Sequence, residues 1–110
     1  MFNIWTKEIM ENNKEDDLDV LRKIKKNPSS SQRELAKELN FSLGKLNYCL
    51  KALQEKGLVK IENFKKNPKK INYIYVLTPR GLAEKTKLTL NFMKRKMTEY
   101  EELKKEIEKR

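Results

Sequence analysis

The sequence has no histidine and only one cysteine, Cys49, among its 110 residues. These shortages exclude a disulfide within the chain and a zinc site built from cysteine and histidine. An acid–base catalytic pair would have to consist of carboxylates, and every acidic residue has an ordinary place on a helix surface. Glycine-rich phosphate loops and clusters of metal ligands are also missing. We therefore expect a protein that is not an enzyme and that binds no metal and no cofactor.

Long apolar runs are missing as well, because no segment approaches the roughly 20 apolar residues that a membrane-spanning helix needs. The opening residues, MFNIWTKEIMENN, carry Lys7, Glu8 and Glu11 where a signal peptide has an uninterrupted apolar core. These absences predict a cytoplasmic protein with no membrane partner. A length of 110 residues fits one domain with a modest hydrophobic core.

The formal net charge is +10, and it is concentrated in the middle of the chain. Residues 1–19 contain two lysines and six acids, and residues 101–110 contain four basic and four acidic residues, so residues 20–100 carry +14. Such an excess favours a polyanionic partner, with nucleic acid ahead of a membrane surface. Basic charge alone is weak support, since many lysine-rich proteins bind no polyanion.

The first predicted helix covers about residues 14–26. Acidic residues crowd its beginning, basic residues crowd its end, and Pro28 follows. Its inner face consists of Leu18, Leu21 and Ile24. Residues 1–13 have apolar residues at helical spacing, which predicts either an N-terminal arm or a short separate helix.

Two further helices follow, with a turn of only a few residues between them. Ser31 and Glu34 have the spacing of a capping box, which predicts the second helix at about residues 31–39. Ser42 can cap the third helix, and Gly57 is typical of a helix end. The inner faces of these two helices consist of Leu35, Ala36, Leu39, Leu46, Cys49, Leu50 and Leu53. This position favours a packing role for the cysteine over a redox role.

After the third helix the apolar period changes to that of strands. GLVKIENF and INYIYVL are predicted to pair as a hairpin around KKNPKK, a turn with four lysines. Tyr73 and Tyr75 share one strand face with Ile71 and Leu77, so we expect them to pack in or beside the core rather than to stack on bases.

The last predicted helix is capped by Thr78, has Pro79 in its first turn and meets no later breaker. About thirty residues at roughly 1.5 Å each give about 45 Å, which is longer than a domain this small can cover. Apolar residues recur along it at heptad spacing, and we expect a homodimer through Leu90, Met93, Met97, Tyr100 and Ile107. The alternative is a helix that folds back on its own domain. Parallel and antiparallel pairing both fit the pattern.

The predicted elements follow the order of a winged helix-turn-helix: two helices, a short turn, a third helix and a lysine-tipped hairpin. The predicted fold is therefore mainly α, with a small β-hairpin and a long C-terminal helix. The resemblance to a known family is carried by SQRELAKELNFSLGKLNYCLKALQEKGLVK, followed by YVLTPRG and the long helix. Over residues 18–110 the chain resembles the MarR family of transcriptional regulators. Within that family it resembles the small regulators associated with bacterial exopolysaccharide gene clusters. The resemblance implies a homodimeric regulator of double-stranded DNA, with a DNA-binding domain at residues 14–78 and a dimerisation helix at residues 79–110.

In this arrangement the third helix reads bases in the major groove and the wing contacts the DNA backbone. The predicted base-contacting residues are Leu43, Gly44, Lys45, Asn47, Tyr48 and Lys51. The predicted phosphate and wing contacts are Ser31, Gln32, Arg33, Ser42, Lys65, Lys66, Lys69 and Lys70. The plainer alternatives are a solvated helix face, ordinary cap-turn residues and a solubilising loop. The competing function is an interaction module that holds nucleic acid without sequence preference.

Two departures from larger MarR relatives limit the resemblance. Their wing usually carries an aspartate and arginine pair, whereas this loop offers lysines, which meet phosphates as point charges without the planar fork of arginine. The chain also has little material for a small-molecule cleft, so an effector is doubtful.

Gly44 costs about 1 kcal/mol relative to alanine in a helix, and we expect its missing side chain to let the backbone approach the groove.

Overall fold

The computed structural model describes the backbone of residues 4–67 and 70–109 and the side chains of residues 14–62 and 74–109. Its elements, in chain order, are α1 (Ile4–Lys26), α2 (Gln32–Leu39), α3 (Leu43–Glu55), β1 (Val59–Asn67), β2 (Lys70–Leu77) and α4 (Pro79–Glu108). The two strands form one antiparallel hairpin. This arrangement confirms the predicted fold class, a mainly helical winged helix-turn-helix with a long C-terminal helix.

Helix α1 begins ten residues earlier than the sequence pattern predicts. It runs without interruption from Ile4 to Lys26, so the predicted boundary at residue 13 falls within one helix. No proline or glycine lies in this stretch, and nothing in the sequence therefore stops the helix between the two halves. The side chains of the predicted arm lie outside the described residues.

The ends of α2 follow the predicted capping chemistry. Ser31 Oγ accepts a hydrogen bond from the Glu34 N–H at 3.2 Å, and the Ser31 N–H donates to Glu34 Oε2 at 3.4 Å. Asn40 then adopts the left-handed conformation with φ of 59°, which asparagine tolerates better than most residues. The Phe41 N–H donates back to the Ala36 carbonyl at 2.9 Å, which closes the short turn before α3.

The core lies where α1, α2 and α3 meet and extends to the base of the hairpin and the start of α4. Its most deeply buried side chains are Val20, Leu21, Ile24, Leu35, Leu46, Leu50 and Leu53. All of them except Val20 are predicted inner-face residues, whereas the predicted Leu18 is slightly less buried and Leu39 is only partly buried. Truncating a leucine at such a position to alanine typically costs about 2–5 kcal/mol of unfolding free energy.

The hairpin is longer than predicted, because the strands extend into the lysine-rich segment. The register pairs Val59 with Leu77 at the base and Asn67 with Lys70 near the tip, with an irregularity between Lys65 and Asn67. The predicted six-residue turn is therefore wrong in length: Lys65 and Lys66 belong to β1 and Lys70 belongs to β2. Strand pairing satisfies backbone groups that an open loop would leave to water.

The start of α4 is fastened to the base of the hairpin. Thr78 Oγ1 accepts a hydrogen bond from the Gly81 N–H at 3.0 Å and donates one to the Gly57 carbonyl at 2.6 Å. A Cβ atom at position 81 would collide with the Leu58 carbonyl, so glycine is needed for this close approach. The predicted cap at Thr78 and the predicted Pro79 in the first turn are confirmed.

Helix α4 gives the molecule its elongated outline, with extents of 67 × 32 × 27 Å. One face of the helix packs against α1, where Leu88 is buried and Arg95 pairs with Glu15 at 3.3 Å. Neither α1 nor α4, nor any shorter helix in the described ranges, is both long and apolar enough to cross a membrane.

Candidate nucleic-acid interface

Helix α3 presents an exposed, mostly polar face opposite its buried leucines. All six predicted base-contacting residues are exposed: Leu43, Gly44, Lys45, Asn47, Tyr48 and Lys51. Four of them follow the i, i+3, i+4, i+7 spacing of a single helix face, which we call the reading face: Gly44, Asn47, Tyr48 and Lys51. Tyr48 is 76% exposed, so its ring makes little contact with its own chain and is free to meet a partner.

Gly44 lies on the reading face, and its own chain does not require a glycine there. A Cβ atom added at this position would meet nothing within 4 Å. The backbone is not in the left-handed region either, since the positive-φ glycine among the described residues is Gly57. The glycine therefore destabilises the helix although neither packing nor backbone conformation within the chain requires it. This supports the expectation that the bare surface lets a partner approach closely.

The N-terminal end of α3 has the electrostatics of an anion-binding surface. Ser42 Oγ accepts a hydrogen bond from the Lys45 N–H at 3.1 Å, as predicted for a cap. The first turn contains no acidic residue, so no side chain of the turn itself neutralises the positive end of the helix dipole. The remaining free backbone N–H groups of this turn can donate hydrogen bonds to phosphate oxygens.

Lys45 lies at the edge of the reading face and is held by groups of its own chain. Its ammonium is 3.2 Å from Asp16 Oδ2 on α1. The same ammonium lies 4.2 Å from the centre of the Phe41 ring, within the range of a cation–π contact. Asp16 was not among the predicted site residues, because a pairing between α1 and α3 depends on how the helices cross.

At the start of α2, the predicted phosphate contacts have unequal surroundings. Ser31 and Arg33 are exposed, whereas Gln32 is partly buried. The Gln32 Nε2 donates a hydrogen bond to the Tyr75 hydroxyl at 2.5 Å, which ties α2 to the second strand of the wing. Tyr75 is buried, so its predicted packing role is confirmed. Gln32 thus has a structural role, and its phosphate contact stays a prediction.

The side chains of the wing lysines lie outside the described residues, as does that of Tyr73. The backbone places Lys65 and Lys66 in β1 and Lys70 in β2, while Lys69 lies outside the described backbone. Lys65, Lys66 and Lys70 therefore belong to the outer end of the hairpin. Their phosphate contacts stay predictions.

Cys49 faces the interior between α1 and α3. Burial raises the pKa of its thiol, and the neighbouring Asp17 and Asp16 carboxylates raise it further, while Lys45 lowers it. A raised pKa disfavours the thiolate, which is the reactive form. The buried position confirms the predicted packing role.

A second candidate surface runs along α4, on the side away from α1. The five predicted interface residues are 53–73% exposed, and together they form the apolar stripe: Leu90, Met93, Met97, Tyr100 and Ile107. Leu103, which the prediction did not include, is also 59% exposed. Within the described residues nothing covers this stripe, which favours the predicted homodimer over a helix that folds back on its own domain.

Comparisons with known proteins agree with this geometry. Residues 17–60 match a family model described as winged helix-turn-helix DNA-binding. The fold is similar to Staphylococcus aureus MarR in complex with salicylate and kanamycin, with 22% identity and a TM-score of 0.62 over 79% of this chain and 57% of that one. No curated protein sequence matches the chain.

Two further solved structures share the fold. One is described as a MarR family transcription regulator, with 19% identity and a TM-score of 0.62 over 88% of this chain and 74% of that one. The other is wild-type Lactococcus lactis ZitR in complex with DNA, with 21% identity and a TM-score of 0.54 over 83% of this chain and 57% of that one. The chain therefore spans little more than half the length of two of these three proteins.

Proposed function

We propose that this chain is a MarR-type transcriptional regulator that binds double-stranded DNA in a sequence-specific manner as a homodimer. The observation that carries the proposal is the reading face, which is exposed, mostly polar and begins with a glycine that its own chain does not need. The family model that matches residues 17–60 describes DNA binding, and one protein of the same fold was solved with DNA.

In this proposal α3 enters the major groove with the reading face toward the base edges. Asn47 can pair with adenine through its amide, and Lys51 can donate to guanine or to a phosphate. Gly44 lets the backbone of the first turn come close to the groove. Each good base contact contributes about 1–3 kcal/mol of discrimination.

The remaining predicted contacts supply affinity rather than sequence preference. Arg33 and the exposed caps Ser31 and Ser42 meet phosphates beside the groove. At the wing, Lys65, Lys66, Lys69 and Lys70 meet phosphates as point charges. Such contacts release counterions, so binding to any duplex weakens steeply as salt increases.

Dimerisation is proposed to occur through the apolar stripe. Its residues recur at heptad spacing, which suits the packing of two helices along a seam. A second copy of the same helix offers the complementary surface in the simplest closed assembly. The dimer then presents two copies of α3 to a pseudo-palindrome whose half-sites lie about one helical turn apart.

One observation favours the competing function, binding of nucleic acid without sequence preference. Arginine is the side chain most often used to read guanine, yet α3 contains no arginine among its 13 residues. Lysine-based contacts alone give strong but indiscriminate binding.

The two functions separate in a binding-site selection from random duplex DNA, followed by salt titrations on selected and random duplexes. Both functions predict a steep salt dependence, but only the regulator keeps a preference of about 10³ or more for particular sites. Selection that enriches no sequence would refute the regulator. Asn47→Ala should reduce the preference, whereas Lys69→Ala with Lys70→Ala should weaken binding to all duplexes alike.

The biological setting is proposed from the sequence resemblance alone. We propose control of an exopolysaccharide biosynthesis locus in the cytoplasm, without a metal or cofactor. A cleft of 280 Å³ lies between α1, α3 and α4, beside Asp17, Lys56 and Arg80. Ligand pockets usually measure about 300–1,000 Å³, so the cleft gives little support to a small-molecule effector.

A further inference from the structure

Three consecutive acidic residues of α1 each pair with a different part of the molecule. Glu15 pairs with Arg95 of α4 at 3.3 Å. Asp17 lies 3.8 Å from Lys56, at the far end of α3. Asp16 alone pairs with a residue in the first turn of α3, Lys45, where the proposed DNA surface begins. The acidic run therefore contains one residue that engages the proposed interface and two neighbours that do not.

The position of Lys45 makes this pairing consequential for DNA binding. Its side chain is 47% exposed, and it projects from the positive end of α3, where phosphates are attracted to any sequence. A lysine at such a place normally adds to non-specific binding as a mobile point charge. Here the ammonium is restrained from two sides, by the Asp16 carboxylate and by the Phe41 ring.

We propose that Asp16 is a specificity-determining residue that competes with DNA phosphates for Lys45. On a random duplex Lys45 stays with Asp16 and adds nothing to binding. On a selected site a hydrogen-bond acceptor on a base edge displaces Asp16 as the partner of the Lys45 ammonium. Asp16 acts through Lys45 and is therefore a positioning residue, and the inference rests on the proposed DNA-binding function.

The size of the effect follows from the exposure of the pair. Exposed ion pairs change an equilibrium constant by no more than about fivefold. Freeing Lys45 should therefore raise the affinity of each protomer for a random duplex by about threefold to fivefold. One additional phosphate contact should also steepen the plot of log affinity against log salt by about 0.9 per protomer.

The test is a double-mutant cycle with Asp16→Asn and Lys45→Gln, measured on random duplex and on a selected site over a range of salt. In the wild-type background Lys45→Gln should weaken random binding only slightly, through the carboxylate left unpaired on Asp16, and should weaken binding to the selected site more. In the Asp16→Asn background the same change should weaken random binding by about threefold to fivefold and reduce the salt slope. Circular dichroism verifies that each variant folds.

Glu15→Gln and Asp17→Asn are the matched controls, because each removes one negative charge beside Asp16 without freeing Lys45. The inference fails if either control reproduces the Asp16→Asn effect, since a general charge effect would then explain it. It also fails if Lys45→Gln weakens random binding equally with and without Asp16. A protein that binds random duplex but yields no selected site would refute the proposed function, whereas the cycle on random duplex would still test Asp16.

Discussion

Gly44→Ala should make the protein more stable and its DNA complex weaker. Alanine is favoured over glycine in a helix interior by up to about 1 kcal/mol, and the second helical position gains part of that. The added Cβ meets nothing within 4 Å, so no steric cost offsets the gain. In a domain of this size, about 0.5–1 kcal/mol raises the melting temperature by roughly 2–5 °C.

The effect on DNA affinity should run the other way and grow with side-chain size. Gly44→Leu places four carbons between the first turn of α3 and the groove floor, and we expect at least a tenfold loss of affinity for a selected site, with a smaller loss for alanine. Thermal unfolding by circular dichroism and a fluorescence anisotropy titration measure the two quantities on the same samples. Undiminished binding by the leucine variant would refute the close-approach explanation, and a destabilised alanine variant would refute the structural account of the site.

Three further changes test other parts of the structure. Met93→Glu with Met97→Glu should give a monomer in sedimentation, because two carboxylates enter the proposed apolar seam. Gly81→Ala should lower the unfolding free energy by about 3 kcal/mol in urea denaturation, because its methyl group overlaps a carbonyl of the hairpin base. Burial raises the pKa of Asp17, while Lys56 lowers this pKa and other nearby carboxylates raise it. Asp17→Asn should therefore increase stability at pH 7.

The sign of the Asp17 prediction follows from proton binding. The folded state holds the Asp17 proton to a higher pH than the unfolded state, so stability falls as pH rises from about 4 through the raised pKa. The advantage of Asp17→Asn should therefore be present at pH 7 and absent near pH 3. An advantage of equal size at both values would show that burial of the charge is not its cause.

The dimer prediction has a matched control on the same helix. Asn91 and Thr98 are exposed and lie on the side of α4 away from the apolar stripe. Asn91→Glu with Thr98→Glu adds the same charge and should leave the sedimentation mass unchanged. If the methionine variant keeps its mass, the stripe is not the dimer interface. A control that also dissociates would point to net charge as the cause.

Local chemistry made much of this fold predictable from sequence. The capping box at Ser31, the caps at Ser42 and Thr78 and the stop at Gly57 each depend on residues within a few positions, and the helices begin and end where these signals lie. The start of α1 was mispredicted because no cap or breaker marks it. The acidic beginning near residue 14 proved to be the middle of a helix.

Contacts between distant segments could not be predicted in the same way. Gln32 and Tyr75 are 43 positions apart, and their hydrogen bond depends on how the wing returns to α2. The pairing of Asp16 with Lys45 depends on the crossing of α1 over α3. The exposed residues of α3 were predictable by type and position. The contacts of Lys45 with Asp16 and Phe41 were not.

The contacts between the hairpin base and the start of α4 would limit the half-site spacings that a dimer can bind. Thr78 bonds to Gly57, and the Leu58 carbonyl accepts the Thr78 N–H at 3.0 Å while touching the glycine of the first turn of α4. Such a junction leaves little room for α4 to pivot against the DNA-binding domain. In a dimer joined through α4, the distance between the two copies of α3 would therefore be a fixed property of the protein. Operators whose half-sites are moved apart by one or two base pairs should be rejected rather than accommodated.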